Sequence, residues 1–180
     1  MNGSYWSWLL QSFPPYYFSD FPSRVIGLLQ RVTEARVEVD QNMIATIGTG
    51  LLVLIGIEKT DTEKDADRLL QRLLGYRVFA DADGKMNLSL RQIAGGLLLV
   101  PQFTLPADTR KGTRPGFSTA APPQRGRQLF DYLLQKARSE HPDVAVGEFG
   151  TNMKVSLTND GPVTFWLRSR YQMPDIRSQN

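Results

Sequence analysis

The run Leu51-Leu52-Val53-Leu54-Ile55-Gly56-Ile57 is apolar at every position. It falls far short of the ~20 residues that a membrane-spanning helix needs, and its length is that of a strand. A strand apolar on both sides of its pleat has to be covered on both faces, so this run is predicted to be central in a sheet. A second continuous run, Leu97-Leu98-Leu99-Val100, follows Gly95-Gly96 and makes the same demand. The rest of the chain has to supply the cover.

Upstream, Val25-Ile26-Gly27-Leu28-Leu29 leads through Gln30-Arg31 into Val32, after which Ala35, Val37 and Val39 alternate with Glu34, Arg36, Glu38 and Asp40. That is the pattern of a half-exposed strand. Asp40-Gln41-Asn42 turns the chain into a strand over Met43–Ile47, and Gly48-Thr49-Gly50 leads into the apolar run. Thr60 and Glu63 have capping-box spacing ahead of a helix whose apolar face is Ala66, Leu69, Leu70, Leu73 and Leu74, ending at Gly75. Tyr76–Phe79 reads as a short strand and Asp81-Ala82-Asp83-Gly84 as a turn; a calcium loop of the EF-hand type needs a longer ligand series ending in Glu. A second helix carries Leu129, Phe130, Leu133, Leu134 and Ala137 and stops before Pro142. Val144–Phe149 and Asn152–Thr158 are predicted strands. The predicted fold is one compact α/β (α+β) domain, a mainly antiparallel or mixed sheet, open or barrel-like, with two main helices.

Near the C-terminal end, Asn159-Asp160-Gly161-Pro162 separates two alternating stretches, Val155 and Leu157 before it and Val163, Phe165 and Leu167 after it. Asn-Asp-Gly is turn chemistry, so the segment is predicted to be a hairpin. Pro162 then belongs at an edge, a bulge or a first strand position. An X–Pro bond can be cis at little cost, and Gly161 allows a ligand close to the backbone.

Composition decides which chemistry is open. The chain has no cysteine and one histidine, His141. Disulfides, thiolate nucleophiles and sulfur-ligated zinc are excluded, and so are multi-histidine metal centres. His141, in Ser-Glu-His-Pro-Asp at a helix end, is expected to be solvent-exposed. Without an imidazole beside a nucleophile, hydrolysis has to rely on backbone donors, a hydroxyl such as Thr104, or a group of the substrate. Thr104 sits in Pro101-Gln102-Phe103-Thr104-Leu105, where a buried strand surfaces in polar residues. The loop Pro106–Arg127 that follows holds Arg110, Lys111, Arg114, Arg125 and Arg127 against Asp108 alone, net +4 in a chain of net +3. A solvated loop and a phosphate-binding loop both fit that charge.

Residues 1–24 contrast with all that follows. They carry eight of the eighteen aromatic residues but only two charges, Asp20 and Arg24, and no period of strand or helix. They lack the basic start of a signal peptide. They are expected to be an extension outside the fold, dispensable for folding and catalysis; Val25 is then a candidate start, since a GTG codon can initiate translation. Residues 169–180 are polar and aperiodic and are expected to be a tail.

Taken together and in order, these motifs make the stretch 25–168 resemble the D-aminoacyl-tRNA deacylases. The resemblance rests on Gln30-Arg31-Val32 with Ala35, Val37 and Val39; on Gln102-Phe103-Thr104-Leu105; on Thr109-Arg110-Lys111-Gly112 with Arg114-Pro115; and on Asn159-Asp160-Gly161-Pro162-Val163-Thr164. It implies a cytoplasmic homodimer that needs no cofactor, metal or membrane. Its activity would be to hydrolyse the ester between a D-amino acid, or glycine, and the 3′ end of tRNA, a chiral proofreading reaction. It implies a cis Gly161-Pro162 bond whose carbonyls reach into the partner's site, clasp the amino group and leave no room for an L side chain. Thr104, Gln102 and the Phe117 backbone N–H are implied in catalysis, with Phe103 and Met153 lining the pocket and Arg110, Lys111 and Arg114 contacting RNA. The 2′-hydroxyl of the terminal adenosine is implied in activating the water. One position departs from the family pattern: Pro101 stands where serine is usual and supplies neither a hydroxyl nor an N–H. The competing reading is a non-enzymatic RNA-binding dimer, in which the basic loop binds phosphates and the 159–164 segment only pairs subunits.

Overall fold

The computed structural model describes residues 25–169; the expected extension over 1–24 lies outside them, as does the expected tail from 170 onward. The domain is α+β, and its main sheet is curled and nearly closed. Strand β1 (Ile26–Val39) is its axis. Along one edge β1 pairs antiparallel with β3 (Gly50–Gly56) from Ile26 to Val32 and then with β2 (Asn42–Ile47) from Ala35 to Val39. Along the other edge it pairs with β8 (Lys154–Arg168) over almost its whole length. Parallel strands β6 (Gly96–Pro101) and β7 (Val144–Val146) continue the sheet beyond β3. A two-stranded ribbon, β4 (Phe79–Ala80) with β5 (Met86–Leu88), lies apart from it. Of the expected strand over 76–79 only Phe79 is in β4, and the expected strand over 144–149 stops at Val146.

Two cores explain the runs with no polar positions. Leu51, Val53 and Ile55 of β3, with Leu97 and Leu99 of β6, face helices α1 (Glu63–Gly75) and α3 (Pro123–Glu140). Leu52, Leu98 and Val100 face the opposite way, into a second core with Val37, Ala45 and Ile47. Both strands are therefore sandwiched, as their sequences require. Burying such a Leu or Val side chain contributes about 1.5–3 kcal/mol, so β3 and β6 anchor the domain.

Three local expectations need correction. The first helix is capped two residues later than expected: Thr62 is the N-cap, and the Asp65 carboxylate accepts both its N–H, at 3.0 Å, and its hydroxyl, at 2.6 Å. A one-turn helix, α2 (Leu90–Ile93), is capped reciprocally by Ser89 and Gln92 and lies in a stretch for which the sequence suggested no element. His141 is not solvent-exposed. It is 4 % exposed, with Nε2 2.6 Å from the Gly95 carbonyl, because the C-terminal end of α3 tucks under the Gly95–Gly96 entry to β6.

The largest correction concerns 154–168. These residues form one continuous strand, not a hairpin, since the long β1 gives both halves a partner. Gln30 pairs with Thr164 and Val32 with Asn159, so Asp160–Val163 bulge out opposite Arg31. Pro162 thus takes the bulge position that its missing N–H permits. The bulge also exchanges faces: Val155 and Leu157 pack on the second core, whereas Val163, Phe165 and Leu167 pack on the first. β1 has a register shift of its own between Val32 and Glu34 and exchanges faces with it, Leu29 facing the first core and Ala35 and Val37 the second.

Candidate active site

The polar residues at the end of β6 are placed by backbone pairing. The Gln102 N–H donates to the Ile55 carbonyl at 2.7 Å, extending the parallel ladder one step past Pro101. The chain then turns, with the Leu105 N–H on the Gln102 carbonyl and the Ala107 N–H on the Thr104 carbonyl. Gly56 makes room for this turn: a Cβ there would lie 2.8 Å from Leu105 Cβ and 2.9 Å from Pro106 Cδ. Gln102 Nε2 donates to Thr104 Oγ1 at 2.5 Å. That bond takes one lone pair of the hydroxyl and leaves its proton free for a ligand. No histidine, lysine or carboxylate bonds Thr104 among the described residues, so nothing there lowers the barrier to its ionisation.

Phe103 and Phe117 stand out from this turn, 65 % and 43 % exposed, with ring centroids 5.5 Å apart. Large aromatics left in water as a pair are unusual and offer a flat apolar surface to a ligand. Among the described residues no acceptor meets the backbone N–H of Phe103, Thr104 or Phe117. Such unspent donors beside an exposed apolar surface suit a developing oxyanion.

Phe117 is carried by a loop tied at several points. The Asp108 and Gly116 backbones exchange hydrogen bonds at 2.7 and 2.8 Å, the Thr119 hydroxyl donates to the Pro106 carbonyl, and the Ala121 N–H donates to the Ile57 carbonyl at 2.9 Å. The loop tip bears Arg110, Lys111 and Arg114. Arg110 forms a bidentate pair with Asp108, at 2.8 and 2.7 Å, which holds that carboxyl well below the usual carboxylate range. Arg125 and Arg127 do not belong to this basic surface. Both lie in the first turns of α3, where Arg125 donates to the Asp61 carbonyl and Arg127 to the Phe149 carbonyl while stacking 5.0 Å from the Phe149 ring.

Met153 packs close to the end of β6. A Cβ on Gly147 would lie 2.9 Å from Met153 Sδ, 3.4 Å from Val100 Cγ1 and 3.5 Å from Pro101 Cδ, and the Glu148 N–H points at the same sulfur at 3.2 Å.

The β8 bulge is a separate construction. Gly161-Pro162 is cis, and Gly161 has φ +116, a region that L side chains rarely enter. Arg31 clamps it from below: Nε lies 2.9 Å from Asp160 Oδ2 and 3.2 Å from the Asp160 carbonyl, while Nη1 donates to the Val78 carbonyl at 2.5 Å. Asn159 braces it from above, accepting the Val163 N–H at 3.0 Å and donating to Thr164 Oγ1 at 2.8 Å. In the sequence Arg31 carries no assigned role within Gln30-Arg31-Val32; its signal is a cation in the apolar first half of β1, between Leu28-Leu29 and Val32.

Within one chain the two constructions lie apart. Arg31, opposite the bulge, pairs with Leu51 and Leu51 with Leu97, whereas Gln102 lies five residues beyond Leu97. At ~3.3 Å per residue that is roughly 16 Å along the strands, and the three strand spacings from β8 to β6 add about 14 Å measured around the curled sheet.

The family described as D-Tyr-tRNA(Tyr) deacylase matches residues 28–168. The chain is 62 % identical over 144 residues to a D-aminoacyl-tRNA deacylase of Janthinobacterium sp. (strain Marseille), covering 80 % of this chain and 97 % of that one. It is 63 % identical over 142 residues to a D-aminoacyl-tRNA deacylase of Pseudomonas putida (strain W619), covering 79 % and 98 %. Among solved structures, one titled c-Myc DNA Unwinding Element Binding Protein superposes with a TM-score of 0.78 at 36 % identity, covering 81 % of this chain and 99 % of that one. A probable eukaryotic D-amino acid tRNA deacylase superposes with a TM-score of 0.71 at 18 % identity and the same coverage, a likeness of fold. By sequence over most of its length, this chain belongs to the D-aminoacyl-tRNA deacylase family.

Proposed function

We propose that the chain hydrolyses the ester joining a D-amino acid to the 3′ end of tRNA, and that it works as a homodimer in which Gly161 and Pro162 of the partner subunit complete each site. The observation that carries this reading is the end of β6: an exposed aromatic pair, a hydroxyl held by Gln102 and unspent backbone donors, with no titrating group bonded to them among the described residues. This is equipment for positioning an ester and stabilising its oxyanion. A single pre-aimed donor, here the Phe117 N–H, contributes about 2.7–4 kcal/mol to such a transition state. Thr104 orients; as a nucleophile it would need a base that the site does not offer. Activation of the attacking water falls to the 2′-hydroxyl of the terminal adenosine.

Selection against L substrates falls to the bulge. Its distance from Gln102 and Thr104 of the same chain favours service to a second subunit. Arg110, Lys111 and Arg114 approach the RNA phosphates, Phe103 and Met153 line the pocket, and the substrate implies a cytoplasmic protein. Glycyl-tRNA, whose amino acid lacks a side chain altogether, passes the same filter and is a second substrate.

The test is incubation of purified protein with D- and L-tyrosyl-tRNA, following free tyrosine. Release from the D ester alone is expected. No release from either would return the chain to the RNA-binding reading, and equal release would remove the filter assigned to Gly161 and Pro162.

A further inference from the structure

Asp61 plays no part in the chemistry above, yet it is an acid only 1 % exposed. It closes the turn between β3 and α1. Its N–H donates to the Glu58 carbonyl at 3.2 Å, its Oδ2 accepts the Glu58 N–H at 2.7 Å, and Arg125 Nη2 donates to its carbonyl at 3.1 Å. Oδ1 has no hydrogen-bond partner among the described residues. An orphaned buried oxygen is tolerable on a neutral acid and costly on a carboxylate. Burial accordingly pushes Asp61 up to about 7, against the Glu58 N–H bond, which favours the anion. The charged groups facing it are Glu58 on its own turn and Asp65 on α1, which raise it further, Arg168 on β8, which lowers it, and Arg125 on α3, whose guanidinium is bonded to the Asp61 carbonyl.

This turn is also the strip to which the loop bearing Phe117 is fastened. Lys59 N–H donates to the Thr119 carbonyl at 3.1 Å, Glu58 bridges Ala120, and Ala120 N–H donates to the Phe117 carbonyl at 3.2 Å. We propose that Asp61 is a positioning residue for deacylation, holding the Glu58–Asp61 turn against Thr119–Ala121 and thereby fixing the direction of the Phe117 N–H. The neutral acid is the form that does so; ionisation places an unpaired charge inside the turn and loosens the strip. The inference rests on the role given above to Phe117. Its sign follows from the direction of the shift. The folded chain keeps a proton that the unfolded chain loses near 3.8, so stability falls as pH rises from about 4 to about 7 and levels off beyond.

The experiment is single-turnover deacylation of D-tyrosyl-tRNA by the full chain and by Asp61→Asn, from about pH 5.5 to 8.5. Asparagine keeps an acceptor for the Glu58 N–H and carries no charge. The ratio of wild-type to variant rate is expected to be flat in the acid range and to fall about fivefold or more through neutrality, in the saturating single-turnover rate constant with the half-saturating enzyme concentration unchanged. A ratio flat throughout, with both proteins active, overturns the inference and leaves the deacylase reading intact. Amide exchange at Lys59 and Ala121, corrected for its intrinsic pH dependence, gives a readout free of catalysis. It is expected to accelerate through about pH 7 in the wild type and not in Asp61→Asn. Exchange that does not accelerate in the wild type overturns the inference even if the variant fails to fold or the protein deacylates nothing.

Discussion

At the end of β6 the groups offered to a ligand are side chains, exposed and lightly held: Phe103 leans on Phe117, and Gln102 and Thr104 bond mainly to each other. At the β8 bulge the offered group is backbone, and the holding is done by a side chain from another strand, Arg31, only 13 % exposed. On the function proposed above, the contrast divides the work: chemistry that needs only donors and a surface is assigned to the place where the fold ends, and steric exclusion, which needs rigidity, to the bulge between two pairing regions of the longest strands.

Substitution at Gly161 tests this division most severely. A Cβ there meets Val163 Cγ2 at 2.8 Å and Arg31 Nη2 at 2.9 Å on a backbone with φ +116. Gly161→Val is expected to lower deacylation at least about 100-fold, some 3 kcal/mol, as read in kcat/KM. Mixed with a Thr104→Val subunit, it should regain activity, because one site of such a dimer carries both lesions and the other neither. Verified heterodimers with no activity would undo the assignment of the bulge to the partner.

Arg31→Leu comes next. It removes the guanidinium that joins Asp160 to Val78 and is expected to destabilise the chain by about 1–3 kcal/mol in urea unfolding while eroding preference for D over L esters. Retained stereoselectivity would reduce Arg31 to a structural role. At the other region, Thr104→Val and Gln102→Ala are each expected to cost about 10- to 100-fold in kcat while shifting stability by no more than about 0.5 kcal/mol. A residual rate near the uncatalysed level for Thr104→Val would make the hydroxyl a nucleophile after all. The smallest effect is expected from Arg110, Lys111 and Arg114 changed together to alanine. KM should rise several-fold and its salt dependence flatten, with kcat unaltered.

Much of this could be read from residues alone. Leu51–Ile57 and Leu97–Val100 announced strands with two covered faces, and the leucines of 66–74 announced α1. The polar ending of β6 was legible as a motif, and so was the capacity of the Gly161-Pro162 bond to be cis. What misled was local chemistry that serves two geometries: Asn-Asp-Gly flanked by alternating residues describes a reversal or a bulge equally well, and only the reach of β1 along both halves decides between them. Arg125 and Arg127 read as loop cations because Pro122-Pro123 resembles a loop, whereas Pro123 is the first residue of α3. His141 read as exposed because its cover, the Gly95 carbonyl, is distant in sequence. Asp61 gave no warning, since burial of an acid is a property of everything around it.

The exchange of faces at the bulge makes β8 an exercise in counting. Between its pairings with Val32 and Gln30 the strand spends five steps where β1 spends two, and the excess is odd. An odd excess is what lets odd-numbered residues serve one core before the bulge and the other after it. The faces on either side are fixed by the pairings of Asn159 with Val32 and of Thr164 with Gln30, and the four residues between them stand outside the ladder. A one-residue deletion within Asp160–Val163 should therefore leave Val155, Leu157, Phe165 and Leu167 on their cores and alter only the bulge. The same deletion before Asn159 or after Thr164 slips a paired stretch and turns its side chains over. The bulge is thus the one place in β8 where length can change without the interior registering it.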